Sequence, residues 1–234
     1  MKPIQLAVFD IAGTTVEDDG NVAESFISAF RQFNIAITKE SAVRVMGYRK
    51  KEAIRILLDE FNITIQGDEH ELVERVHDRF IQQMIHFYQT TTRLKPLPGA
   101  ESLFAWLQSK NIKVALNTGF VKAITNEILA RLGWDDNADI NAVISSDEVQ
   151  NGRPYPDMIM ALMQQTGVAD PEQVLKIGDT LVDIQEGRNA RCGLVIGVTT
   201  GANTREELAA QTPDRVIGSL DELPFILMQT NIAV

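Results

Sequence analysis

From residue 94 onward the chain repeats one pattern, and that pattern restricts its fold more than any other feature. Short apolar runs alternate with stretches long enough for a helix. The runs are KVALN (113–117), AVISS (142–146), VLKIGD (174–179), GLVIGVT (193–199) and DRVIG (214–218). Helical segments fit between and around them at 99–109, 121–132, 155–166, 182–190, 204–210 and 219–228. Strands that alternate with helices pair in parallel, because each crossover returns the chain to the same end of the sheet. One further run, IQLAVF (4–9), stands alone near the N-terminus. The expected fold is α/β, a doubly wound parallel sheet of the Rossmann kind.

Between that first strand and the rest the chain reads as helix only. Val22, Ala23, Phe26, Phe30 and Phe33 share one face of a helix over 22–33. Asn21 and Glu24 have the spacing of a capping box at its start. The helical period returns over 50–60 through Ala53, Ile54, Leu57 and Leu58, and over 69–89 through Leu72, Val76, Phe80, Met84 and Tyr88. LKPLPGA (94–100) breaks the period with two prolines and a glycine. An all-helical domain over 17–93 is therefore expected as an insertion in a core made of 1–16 and 94–234. Hinges are expected near Val16–Gly20 and Arg93–Gly99.

The bulk numbers exclude some classes of function. With 234 residues, 44% hydrophobic and 23% charged, the chain can bury a sizeable core. A formal net charge of -10 disfavours nucleic acid and anionic membrane surfaces as partners. No apolar stretch approaches the roughly 18 residues of a membrane span, and MKPIQLAVFD lacks signal-peptide architecture. Cys192 is the single cysteine, so no intrachain disulfide can form, which suits the cytoplasm as the expected compartment.

In open α/β sheets ligands bind beyond the carboxyl ends of the strands. The first strand delivers Asp10, Ala12, Gly13 and Thr14 there, and the second Thr118 and Gly119. The third leads through NGRPYP to Arg153, and the fourth ends in GDTLVD with Asp179 and Asp183. Pooled, these make a divalent-cation site beside an anion site. Mg²⁺ takes hard oxygen ligands and keeps several waters, so Asp10 and Asp179 suffice, with Asp183 four residues on. Thr118, the Gly119 backbone N–H and Arg153 fit a phosphoryl group. Asp10 then fits a carboxylate nucleophile that forms an aspartyl-phosphate.

At this point the chain resembles the haloacid dehalogenase superfamily, over nearly its whole length. Asp10-Ile11-Ala12-Gly13-Thr14 resembles its first motif, Thr118 its second, Arg153 its third (where a lysine is usual) and GDTLVD its fourth. The helical insertion corresponds to a cap. Most phosphatases of the superfamily carry a second Asp two residues after the nucleophile, where this chain has Ala12. The closer resemblance is to the phosphonatase branch, which shares that Ala, the Arg in GRPYP and a cap lysine soon after Met-Gly. It implies that Lys50 forms a Schiff base with a 2-oxoalkylphosphonate, with Met46 nearby, and that the Ala12 carbonyl and Asp183 complete the Mg²⁺ site. Gly13, Thr14, Met46, Thr118, Gly119 and Arg153 would bind substrate or phosphate.

That branch rationalises Ala12. An alkoxide leaving group needs a proton donor, and losing one costs about 10²–10⁴-fold. An iminium beside a C–P bond instead accepts the electron pair, so no proton is needed at the scissile atom. Arg49 and Lys51 flank Lys50 and, with burial, should favour its neutral amine. Two departures stand out: the branch has a histidine where this chain has Ala53, and a tyrosine where it has Phe120. They imply a substrate other than phosphonoacetaldehyde. The alternative is a phosphomonoesterase acting on phosphoglycolate or a sugar phosphate. His70, His77 and His86 read as surface or packing residues, Cys192 as a small buried side chain, and Trp106 and Trp134 as structural. Phe26, Phe30 and Phe33 read equally as cap core or as the seam of a homodimer.

Overall fold

The computed structural model describes residues 2–63 and 68–229; the last five residues of the expected core lie outside that range. In chain order the elements are β1 (Leu6–Asp10), α1 (Asn21–Arg31), α2 (Lys39–Arg44), α3 (Lys50–Glu60), α4 (Glu69–Thr90), α5 (Ala100–Ser109), β2 (Lys113–Thr118), α6 (Lys122–Leu132), β3 (Ala142–Ser145), α7 (Asp157–Thr166), β4 (Val174–Gly178), α8 (Leu181–Asn189), β5 (Leu194–Val198), α9 (Arg205–Ala210), β6 (Arg215–Ile217) and α10 (Leu223–Gln229).

The six strands form one parallel sheet in the order β3-β2-β1-β4-β5-β6. β1 and β4 are buried on every residue, as expected for parallel strands covered on both faces. Alternation divides them. Ala7 and Phe9 of β1 face the cluster that holds the apolar residues of α5, α6 and α10. Leu6 and Val8 face the cluster that holds those of α7, α8 and α9. The register sets Asp10 beside Asn117 of β2 and Phe9 beside Ile177 of β4. The strand order reverses at β1, so the crevice of a doubly wound sheet opens at its carboxyl end.

Helices α1–α4 are inserted between β1 and β2. Their interior is built on Phe26 and Phe80, whose rings stack at 4.4 Å, and on Phe30, Ile54, Leu57 and Val76, all fully buried. Phe26 and Phe30 are thus interior residues, while Phe33 is half-buried under Arg75. The insertion meets the core where α4 packs on α6. There Arg131 donates to the carbonyls of Tyr88, Gln89 and Thr91, satisfying the end of α4. The two connecting segments pair with each other: the Leu97 amide donates to the Thr15 carbonyl at 2.8 Å and the Glu17 amide to that of Lys95 at 3.2 Å.

Two local expectations need correction. Asn21 does not cap α1; it is the first helical residue, and Asp18 Oδ1 accepts from the amides of Gly20 (3.1 Å) and Asn21 (2.9 Å). Gly20 takes the N-cap position at φ 88, a left-handed conformation open to glycine, so Asn21 falls one residue inside the helix. The short α2 was not foreseen: its six residues are too few for a helical period to register. Among the described residues no helix is long and apolar enough to cross a membrane.

Candidate active site

Asp10 ends β1, Thr118 ends β2 and Asp179 follows β4 directly. The sheet therefore fixes all three at one edge. After Asp10 the chain folds back sharply, with the Ile11 carbonyl accepting from the amides of Thr14, Thr15 and Val16. Gly13 takes φ 86 in this turn, and a Cβ there would sit 2.6 Å from Asp179 Oδ2. Only glycine fits. Asp179 is held from two sides, by the Thr14 hydroxyl donating to Oδ1 at 2.9 Å and the Ala202 amide donating to Oδ2 at 2.7 Å. Gly13 and Thr14, expected on the phosphate, thus shape and orient Asp179 in this structure.

Arg153 is buried beside Asp10, and its nitrogens are directed at protein. Nη1 donates to Asp10 Oδ1 at 2.6 Å, Nε to Glu186 Oε2 at 3.0 Å, and Nη2 to the backbone and side-chain oxygens of Asn117 at 2.9 and 2.6 Å. The expectation was a phosphate-facing cation; what the structure places there is a brace for Asp10. Lys176 lies beside it, 2.8 Å from Asp183 Oδ1 and 2.7 Å from Asn117 Oδ1. Sequence reading missed Lys176, Asn117 and Glu186. The signal was a charged residue inside an otherwise apolar strand, because a lysine buried there must be paired.

The buried charges do not balance. Asp10, Asp179, Asp183 and Glu186 face two cations of this lattice, Arg153 and Lys176. With all four ionised, these carboxylates outnumber the two cations by two, an excess that a bound cation would offset. Asp10, Asp179 and Asp183 each present an oxygen within 4.8 Å of the others, and an all-oxygen donor set suits a hard cation. Burial pushes the Asp10 carboxyl up to about 6 against the pull of Arg153, with the Asp183 charge adding to the rise. Burial and then the charges of Asp10 and Asp183 push Asp179 well above the usual range. Asp183 is held low despite burial by Arg153 and Lys176. It forms a capping box with Thr180 at the start of α8 and is fully buried.

Lys50 is the first residue of α3 and only 3% exposed. Its Nζ lies 5.1 Å from the ring centre of Phe120, 5.6 Å from that of Phe26 and 6.0 Å from that of Phe80. Its hydrogen bond is to the Tyr48 carbonyl at 3.3 Å. Burial lowers it to about 8, with Asp10 raising and Arg153 lowering it. The flanking cations do not supply this effect. Lys51 is paired with Glu74 at 2.6 Å, and Arg49 donates to the Gln150 carbonyl at 2.8 Å.

Core and insertion meet around one cavity. Asp10, Ala12, Thr118, Gly119, Phe120 and Asp179 line it from the sheet edge; Met46, Gly47, Lys50, Val22 and Asp18 line it from the insertion side. Gly119 is required by this contact: a Cβ there would lie 2.6 Å from the carbonyl oxygens of both Gly47 and Tyr48. Asp18 was not anticipated. Ala53 is fully buried, and among the described residues no histidine lines the cavity. His77 is buried in packing and lowered to about 4, chiefly by burial. The buried Cys192 thiol is pushed up to about 12 by burial, so it is no nucleophile. Trp134 is a core residue whose indole donates to Glu101.

A model of the haloacid dehalogenase-like hydrolases matches residues 4–191. The phosphonoacetaldehyde hydrolase of Bacillus cereus (strain AH187) is 31% identical over 228 residues, covering 91% of this chain and 83% of the relative. That of Hahella chejuensis is 32% identical over 213 residues, covering 86% and 70%. Among solved structures, a phosphonoacetaldehyde hydrolase-like protein from Oleispira antarctica aligns with a TM-score of 0.84 and 25% identity, covering 98% of this chain and 93% of that one.

Proposed function

The chain belongs to the haloacid dehalogenase-like hydrolases, acting on C–P or phosphate ester bonds, and from that premise we propose that it cleaves the carbon–phosphorus bond of a 2-oxoalkylphosphonate. The observation that carries this reading is that Asp10 and the buried amine of Lys50 line one cavity in which Ala12 occupies the place of a proton donor. We read 1–16 and 94–234 as the catalytic core and 17–93 as a cap that closes Lys50 over it.

Lys50, neutral, adds to the substrate carbonyl; with one proton taken up, water leaves and an iminium remains. Asp10 then attacks phosphorus. The P–C bond breaks, its electron pair neutralises the iminium, and an enamine departs while Asp10 carries the phosphoryl group. Water hydrolyses the aspartyl-phosphate. Protonation of the enamine at carbon and hydrolysis free Lys50. Thr118 and the Gly119 amide face the cavity where the phosphoryl oxygens would lie. Arg153 holds Asp10 in line from behind. Mg²⁺ would suit the carboxylates of Asp10 and Asp179, the Ala12 carbonyl and, through water, Asp183; bound there, it would neutralise charge on the phosphoryl oxygens.

Borohydride reduction in the presence of 2-oxopropylphosphonate tests this reading. Covalent label on Lys50, lost in Lys50→Arg and retained in Asp10→Asn, is the expected result. Phosphate release from phosphoglycolate or a sugar phosphate with no label under any oxo-phosphonate would make the chain a phosphomonoesterase instead.

A further inference from the structure

Imine formation needs a proton carrier at Lys50, since the carbonyl oxygen must leave as water. Among the described residues, four titratable side chains line the cavity: Asp10, Asp179, Lys50 and Asp18. The first two belong to the phosphoryl end, where Asp10 is bound by Arg153 and Asp179 by Thr14 and Ala202. Ala53 and Phe120, close to Lys50, carry no proton. We infer that Asp18, on the loop that enters the insertion, is the acid–base partner of Lys50. The inference rests on the imine reading above and adds a residue to it.

The step balances. Asp18 as carboxylate takes a proton from the Lys50 ammonium, and the freed amine attacks carbon. Asp18 returns that proton to the carbonyl oxygen, giving a hydroxyl. It next takes a proton from the new C–N nitrogen and delivers it to the hydroxyl, which leaves as water as the C=N bond forms. Lys50 ends as iminium and Asp18 as carboxylate, unchanged. The amides of Gly20 and Asn21 hold Oδ1, fixing the carboxylate at the cavity wall. Asp18 is half-buried. Burial raises its pKa against the backbone amides of Val22, Asn21 and Gly20 and, to a smaller extent, the charge of Lys50, the environment of a carboxyl that exchanges protons.

The test measures borohydride-trapped label on Lys50 in the Asp10→Asn chain, where the imine cannot go on to cleavage, with and without Asp18→Asn. Asparagine caps a helix as well as aspartate does, so the thermal midpoint should hold. We expect labelling by 2-oxopropylphosphonate to slow by about 10²-fold or more, and formate to restore part of the rate to Asp18→Ala. Equal labelling rates with and without Asp18 would overturn the role of Asp18 alone. No label in any variant would remove the imine reading, and this inference with it.

Discussion

Arg153 Nη1 donates to Asp10 Oδ1 at 2.6 Å, and the same guanidinium is tied to Asn117 and Glu186. The Asp10 carboxylate is therefore held by a side chain that is itself anchored by Asn117 and Glu186. Replacing Arg153 with methionine leaves buried carboxylates unpaired, a change that costs about 3–5 kcal/mol in such settings. Urea unfolding of Arg153→Met should show a loss of that order. A loss below about 1 kcal/mol would mean that the lattice of Asn117, Lys176 and Glu186 stands without it.

Lys50 titrates near 8, below its ordinary 10.5. The amine needed for imine formation thus grows about tenfold per pH unit below 8 and levels above it. Labelling rates between pH 6 and 9 should follow that curve, and a flat profile would contradict it. Between pH 8 and 10.5 the unfolded chain holds a proton that the folded chain has released, so this group makes stability rise with pH across that window.

In metal-free protein Asp10 is raised from 3.8 to about 6. The folded form then binds the extra proton, and stability should fall as pH rises from about 4 to 6. Added Mg²⁺ should raise the thermal midpoint at pH 7. Asp179→Asn should raise the metal-free midpoint and abolish most of the Mg²⁺ increment, because it removes one of the repelling charges along with a ligand. Calorimetry with Mg²⁺ and with a chelator measures both.

Gly119 touches the loop that carries Lys50 with no room for a methyl group. Gly119→Ala should hold that loop off the sheet edge by about an ångström, a displacement that can cost 10²-fold in rate. Steady-state kcat/KM should drop accordingly while the far-ultraviolet dichroism is unchanged. Unaltered kcat/KM would show that the loop adjusts freely.

The sheet was legible because its strands are short apolar runs punctuated by residues that end them, and the site because Asp10, Thr118 and Asp179 sit at those ends. Lys50 was legible through its neighbours Met46 and Gly47 rather than through periodicity. Lys176 and Glu186 were not: one hides inside an apolar strand and the other on a helix face, and only their meeting around Arg153 gives them a role. Asp18 was lost among Glu17 and Asp19 in an acidic run. Nothing local separates a residue aimed into a cavity from two that pair with Lys95 and Arg93 at the surface.

The ribbon formed where Thr15 and Glu17 pair with Leu97 and Lys95 has a mechanical consequence. A lid hung from two separate threads can twist and slide. One hung from two bonded strands swings about a single axis, like a door on a full-length hinge. If 17–93 is the cap we propose, that axis, which starts five residues beyond Asp10, would carry Lys50 along one arc toward Asp10 at each closure.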